Sequence, residues 1–196
     1  MTKPRIAIII GSTRDTRFAD KPAQWTLEHA KKRDDMEFEL VDLRDFDLPL
    51  FNEVASNLWV PSKDERAVKW QKKVAEFDGY LFICAEYNHS VTGSLKNALD
   101  QCYKEWNHKP MGAVAYGGVG GARALEHLRG IAVELQMVPV RNAVHIGAGE
   151  FMKVSSLGQN KPMSEIEDIL LPSLKNTLDD IAWWAKATMA ARARSA

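Results

Sequence analysis

Three short runs of the chain are apolar at almost every position: Arg5 to Ile10, Gly79 to Ala85 and Met111 to Tyr116. A strand with one wet face alternates apolar and polar residues, whereas one buried on both faces does not. Burial on both faces belongs to the middle of a parallel sheet covered by helices. Each run also empties into glycine or polar residues and is followed by a stretch with helical spacing.

The remaining elements fit between these runs. A helix is expected from about Asp20 to Arg33, with Pro22 tolerated in its first turn. Glu37 to Leu43 alternates Phe38, Leu40 and Val41 with polar residues, a strand nearer the sheet edge. Asp45 to Ser62 reads as a long loop and Lys63 to Phe77 as a helix. From Gly93, the positions Leu95, Ala98, Leu99 and Cys102 share one helical face, and Leu125, Leu128, Ala132 and Leu135 mark another. Val140 to Ile146 supplies a fifth strand. Leu174, Leu178 and Ile181 belong to a last helix, which Pro172 is expected to break or begin. Five strands alternating with helices predict one domain over residues 1–196, a three-layer α/β fold with a five-stranded parallel sheet. Ligands of such sheets bind beyond the carboxyl ends of the strands.

Charge and cysteine content narrow the function. Lys plus Arg and Asp plus Glu each number 26 in 196 residues, so no global field favours nucleic acid or an anionic membrane. No run reaches transmembrane length and no signal peptide is visible, so a cytoplasmic protein is expected. Cys84 and Cys102 form no metal-spaced set and are expected to pack in the core. His89 lacks a ligand partner at metal-binding spacing, and no metal site is expected.

Three loops follow the buried strands. The first, Gly11-Ser12-Thr13-Arg14-Asp15-Thr16-Arg17-Phe18, offers hydroxyls, two guanidinium groups and backbone N–H donors leading into a helix, which suits a phosphate. It is neither a Walker loop nor Gly-x-Gly-x-x-Gly, so a dinucleotide across it is disfavoured. The second, Ala85-Glu86-Tyr87-Asn88-His89-Ser90, suits a planar heterocycle touched by main-chain amides, Tyr87 and Asn88. Its ordinary alternative is a turn, with Ser90 or Thr92 as the cap of the next helix. The third, Tyr116 to Arg123, holds four glycines. Gly117 and Gly118 let a ligand approach the backbone, while Gly120 and Gly121 suit close packing. A mononucleotide with a planar head fits all three, and FMN is the candidate.

At these residues the sequence resembles the NADPH-dependent FMN reductase family of flavodoxin-like proteins, which includes quinone, azo-dye and chromate reductases. The resemblance runs from about Pro4 to Ile146. It rests on Glu86-Tyr87-Asn88 with Gly93-Ser94-Leu95-Lys96-Asn97-Ala98-Leu99-Asp100, supported by the first and third loops in the right order. It implies sheet order 2-1-3-4-5. It also implies that Ser12, Arg14 and Arg17 hold the FMN phosphate, with backbone help from Thr13 and Phe18. Glu86, Tyr87 and Asn88 would line the flavin, Ser90 would touch it, and Gly117 and Gly118 would approach its pyrimidine end. Many relatives carry Pro at the position of Ala85 and Pro-Gly at that of Asp15-Thr16. These departures bear on flavin affinity rather than identity.

The implied activity is hydride transfer from NADPH through bound FMN to a small-molecule acceptor, by a ping-pong cycle and with no catalytic side chain required. Acceptors in the family include quinones, free flavin, azo dyes and chromate. The family also implies a homodimer or tetramer, with Trp59 and Trp106 as candidate partner-facing residues against packing within the monomer. A flavodoxin-like electron carrier or a redox-sensing flavoprotein is the alternative. Neutral charge and the paired arginines favour the reductase.

Overall fold

In a computed structural model, which describes residues 2–195, the chain alternates strands and helices. In order they are β1 (Arg5–Ile10), α1 (Asp20–Ala30), β2 (Glu37–Asp42), α2 (Glu65–Ala75), β3 (Gly79–Ala85), α3 (Gly93–Asp100) and β4 (Pro110–Tyr116). Then follow α4 (Ala122–Glu134), β5 (Val138–Pro139), β6 (Val144–Ile146), α5 (Ala148–Val154) and α6 (Glu167–Ser195). The sheet is parallel throughout and runs β2-β1-β3-β4-β5, with β6 also pairing β4.

Residues of β1 part alternately to the two faces, as the strand period requires. Ala7 and Ile9 join Tyr80, Phe82 and Cys84 beneath Trp70, Leu99 and Leu128 of α2, α3 and α4. Ile6, Ile8 and Ile10 join Leu81 and Ile83 beneath Trp25 of α1 and Leu174 and Ile181 of α6. This double cover is why, past Arg5 at the start of β1, the central runs carry no charged residue to face water.

Three expectations need correction. The fifth strand is two short pieces, not one run from Val140. Met111 pairs with Pro139 and Val114 with Val144, so two residues intervene on β4 and four on its neighbour. An edge strand tolerates such a bulge and a proline, and an even excess keeps the buried face in phase. Pro172 lies inside α6, in its second turn, rather than at its start. Pro172 and Asp168 are both exposed, so water can reach the carbonyl that the proline cannot bond. Trp106 takes the second of its two readings, packing within the monomer, and not the partner-facing one: it is fully buried and donates from Nε1 to the Leu99 carbonyl at 3.2 Å.

Lys109, at the amino end of β4, is buried and donates to the Tyr80 hydroxyl at 3.1 Å. Burial pushes its ammonium down from 10.5 to about 8, and nearby Arg192 pushes the same way. The folded chain therefore binds this proton less readily than the unfolded chain. The resulting deficit is complete below about 8 and fades as pH rises towards 10.5. Lys109→Met is expected to stabilise the protein by about 1–2 kcal/mol near neutrality, since the lost hydrogen bond offsets part of the gain. Urea unfolding of both proteins should show the gap closing in alkali; a gap independent of pH would contradict it.

Candidate active site

The loops after β1, β3 and β4 meet because side chains of α3 tie the first two together. Thr92 caps α3, accepting from the Leu95 amide at 3.1 Å, and its hydroxyl donates to the Gly11 carbonyl at 2.6 Å. Ser94 donates to the same carbonyl at 2.8 Å. At Gly11 a Cβ would stand 3.1 Å from both the Ile83 carbonyl and Leu95, so the strand end and the helix close tightly around it.

The second loop is a tight turn. Tyr87 and Ser90 exchange backbone hydrogen bonds of 2.9 and 3.0 Å, and Asn88 and His89 at its tip take φ of 49° and 69°. Left-handed backbone is costly for residues other than glycine, and Asn bears it best. The turn lifts Tyr87 towards the first loop, where its hydroxyl lies 3.3 Å from Ser12 Oγ and accepts from Arg14 Nη1 at 3.5 Å.

Glu86 ties the second loop to the third. Its carboxylate accepts from the Arg123 backbone amide at 3.1 Å and from Arg123 Nε at 2.6 Å, with Nη2 closer still. The Glu86 side chain is only 4% exposed. Burial alone would raise its carboxyl, but the Arg123 guanidinium and the first amides of α4 hold it below the ordinary range. Glu86 is thus an ionised clamp at a helix start, not an acid with a proton to give. The same clamp explains Gly117, where a Cβ would meet that of Glu86 at 2.9 Å. Gly121 serves packing as expected: at φ 68°, its Cβ would meet the Tyr116 amide at 2.7 Å.

Between these loops lies a cleft of about 860 Å³. Arg14, Arg17, Phe18, Glu86, Tyr87, Asn88, Gly117 and Gly118 all border it. Ser12 is buried behind Tyr87. Thr13 is exposed and outside the lining, and Ser90 faces away, with its hydroxyl 3.0 Å from His127 Nδ1.

The two arginines differ in kind. All the donors of Arg17 are engaged: Nη1 with the Ser12 carbonyl at 2.8 Å and Asp42 at 2.7 Å, Nε with Asp20 at 2.9 Å, and Nη2 with both aspartates. Its side chain is 3% exposed, and the hydrogen bonds it donates to Asp42 above all push its pKa up. Arg14 is exposed, and among the described residues its side chain touches only Tyr87. The amides of Ser12, Thr13, Arg14, Asp15, Thr16 and Phe18 find no protein acceptor among the described residues, and α1 has no side-chain cap. Free amides beside an exposed guanidinium suit an anion. At Gly118 a Cβ would meet nothing within 4 Å, so a side chain there would stand in open space at the cleft edge. Free donors at one loop and an open backbone at another fit the phosphate and the flat ring of FMN.

A family model described as NADPH-dependent FMN reductase matches residues 4–150. The chain belongs to the NADPH-dependent FMN reductase family. It is therefore an oxidoreductase, with FMN as cofactor and NADPH as co-substrate. An NAD(P)H-dependent FMN reductase of Schizosaccharomyces pombe is 37% identical over 138 residues, covering 68% of each chain. A 2-hydroxy-1,4-benzoquinone reductase of Burkholderia sp is 31% identical over 141 residues, covering 68% of this chain and 73% of its own. The flavoenzyme NAD(P)H:(acceptor) oxidoreductase FerB of Paracoccus denitrificans superposes with a TM-score of 0.70 at 22% identity. That likeness covers 94% of this chain and 98% of the other, and shows the fold.

Sequence reasoning missed the last wall of the cleft. Ala148, Phe151, Met152 and the turn Ser155-Ser156-Leu157 border it, together with Thr16 and Tyr116 of the first and third loops. Phe18 stands edge-on to Tyr116 at 5.1 Å and to Phe151 at 4.9 Å, closing an aromatic side. α5 left little periodic trace, because only Val154 of its seven residues is buried.

Proposed function

We propose that the protein is a two-electron NADPH:quinone reductase in which donor and acceptor occupy one cleft in turn. The observation that supports this reading is the convergence of the three strand-end loops on a single open-sided cleft. Bound FMN supplies the hydride relay between the two substrates. Arg14 and the free amides of the first loop hold its phosphate, Tyr87 and Asn88 border its ring, and Gly118 keeps room for it. Arg17 shapes the first loop rather than touching the phosphate.

The overall change is NADPH plus quinone plus a proton giving NADP+ and hydroquinone. Glu86, ionised and clamped by Arg123, is not placed to give that proton, and solvent at the open side of the cleft supplies it. Initial rates at several quinone concentrations should give parallel double-reciprocal lines, with excess NADPH competing against quinone. Intersecting lines would show both substrates bound at once and sink the shared cleft. Azo dyes and chromate are further acceptors to test in the same assay. An electron carrier would oxidise no NADPH with any of them.

Two buried thiols suit a reducing, cytoplasmic setting. Leu50, Val54 and Trp59, which are 83%, 91% and 78% exposed, suit contact between copies in a dimer, which sedimentation would reveal.

A further inference from the structure

The loops that carry the family's motifs build one part of the cleft; the rest comes from Ala148, Phe151, Met152 and Ser155 to Leu157. All but Ala148 lie beyond residue 150, where the family match ends. Met152 is 47% and Leu157 77% exposed, although both border the cleft. Apolar side chains standing open beside a substrate site call for an explanation.

Their backbone is firmly built. The Met152 carbonyl accepts from the Gln159 amide at 2.8 Å, and the Gly158 amide donates to the Ser155 carbonyl at 3.1 Å. The turn closes so tightly that a Cβ at Gly158 would stand 1.9 Å from the Met152 oxygen. Lys21 of α1 secures the segment from outside, donating to the Val154 carbonyl at 2.6 Å and to Asn160 Oδ1 at 2.7 Å. Met152 and Leu157 are therefore presented on a fixed ledge. Neither offers charge to a dinucleotide's phosphates. The nearby Lys153 is turned to Glu165, donating to its carbonyl at 2.8 Å.

We propose that this ledge is an acceptor subsite, in which Met152 and Leu157 receive an apolar alkyl substituent carried on a quinone ring. The proposal rests on the quinone-reductase reading and deepens it. The preferred acceptors are then alkylated quinones rather than small hydrophilic ones, and the preference is set by residues outside the family-matched part of the chain.

The test is calorimetric titration of FMN-loaded protein, without NADPH, using para-benzoquinones with alkyl chains of increasing length. Affinity should rise about threefold per methylene over the first few carbons, then level off where the chain outgrows the ledge. A Met152→Ser, Leu157→Ser double variant should flatten that dependence, and Met152→Leu, Leu157→Met should restore it. Both positions are solvent-facing, and circular dichroism with an FMN titration verifies that each variant is folded and loaded. The same slope in the serine variant, or no chain-length dependence in the native protein, would overturn the subsite. Failure of the FMN-loaded protein to oxidise NADPH with any quinone would instead overturn the parent reading, so the two failures are distinct.

Discussion

Arg14→Ala is expected to weaken FMN binding roughly ten- to a hundredfold, the loss that follows removal of a charge-assisted hydrogen bond to phosphate. Arg14 is the guanidinium of the first loop that is exposed and, among the described residues, bonded only to the Tyr87 hydroxyl, whereas every donor of Arg17 is engaged by Ser12, Asp20 and Asp42. Titrating apoprotein with FMN and with riboflavin isolates the effect, because riboflavin lacks the phosphate. Only the FMN affinity should fall in Arg14→Ala, and its salt dependence should become shallower. Arg17→Ala should instead act on the loop as a whole, lowering thermal stability along with FMN affinity. Equal losses for riboflavin and FMN in Arg14→Ala would remove Arg14 from the phosphate site.

The second large effect concerns Glu86. Arg123→Met leaves a carboxylate that is 4% exposed with only backbone amides for partners. Stranding a buried charge typically costs several kcal/mol. With Arg123 itself 43% exposed and the amides retained, about 2–3 kcal/mol is expected near neutrality. The sign with pH distinguishes this from lost packing. In the native protein the Glu86 carboxyl is held below its ordinary 4.5. Its contribution is therefore present above that value and is lost as pH falls. Without Arg123, burial dominates and raises the carboxyl, so the folded state takes up the proton more readily than the unfolded one. The deficit of the variant should then shrink on acidification. Urea unfolding across that range measures it, and a constant deficit would mean that the pair has no electrostatic role. FMN affinity should fall in the same variant, because Glu86 borders the cleft and packs closely against Gly117.

The central strands, the helices between them and the three loops were determined by the sequence alone. Burial on both faces leaves a mark that no other fold element shares: an unbroken apolar run too short to be a helix. Glycines and hydroxyls clustered at the ends of such runs then identify the ligand side of the sheet. Thr92 was legible as a candidate cap, but neither it nor Ser94 as the ties that draw the first loop to α3 through Gly11. Tertiary structure alone decided that Arg17 faces Asp42 across 25 residues of chain, because pairing between charges distant in sequence leaves no periodic trace. It likewise buried Trp106, divided the edge strand where an edge can absorb a bulge, and kept Pro172 within α6 where water reaches the orphaned carbonyl. The ledge of Met152 and Leu157 was invisible for a related reason. α5 buries one residue of seven, and its place is set by Lys21 and by the packing of Gly158 against a carbonyl, contacts that a sequence pattern does not encode.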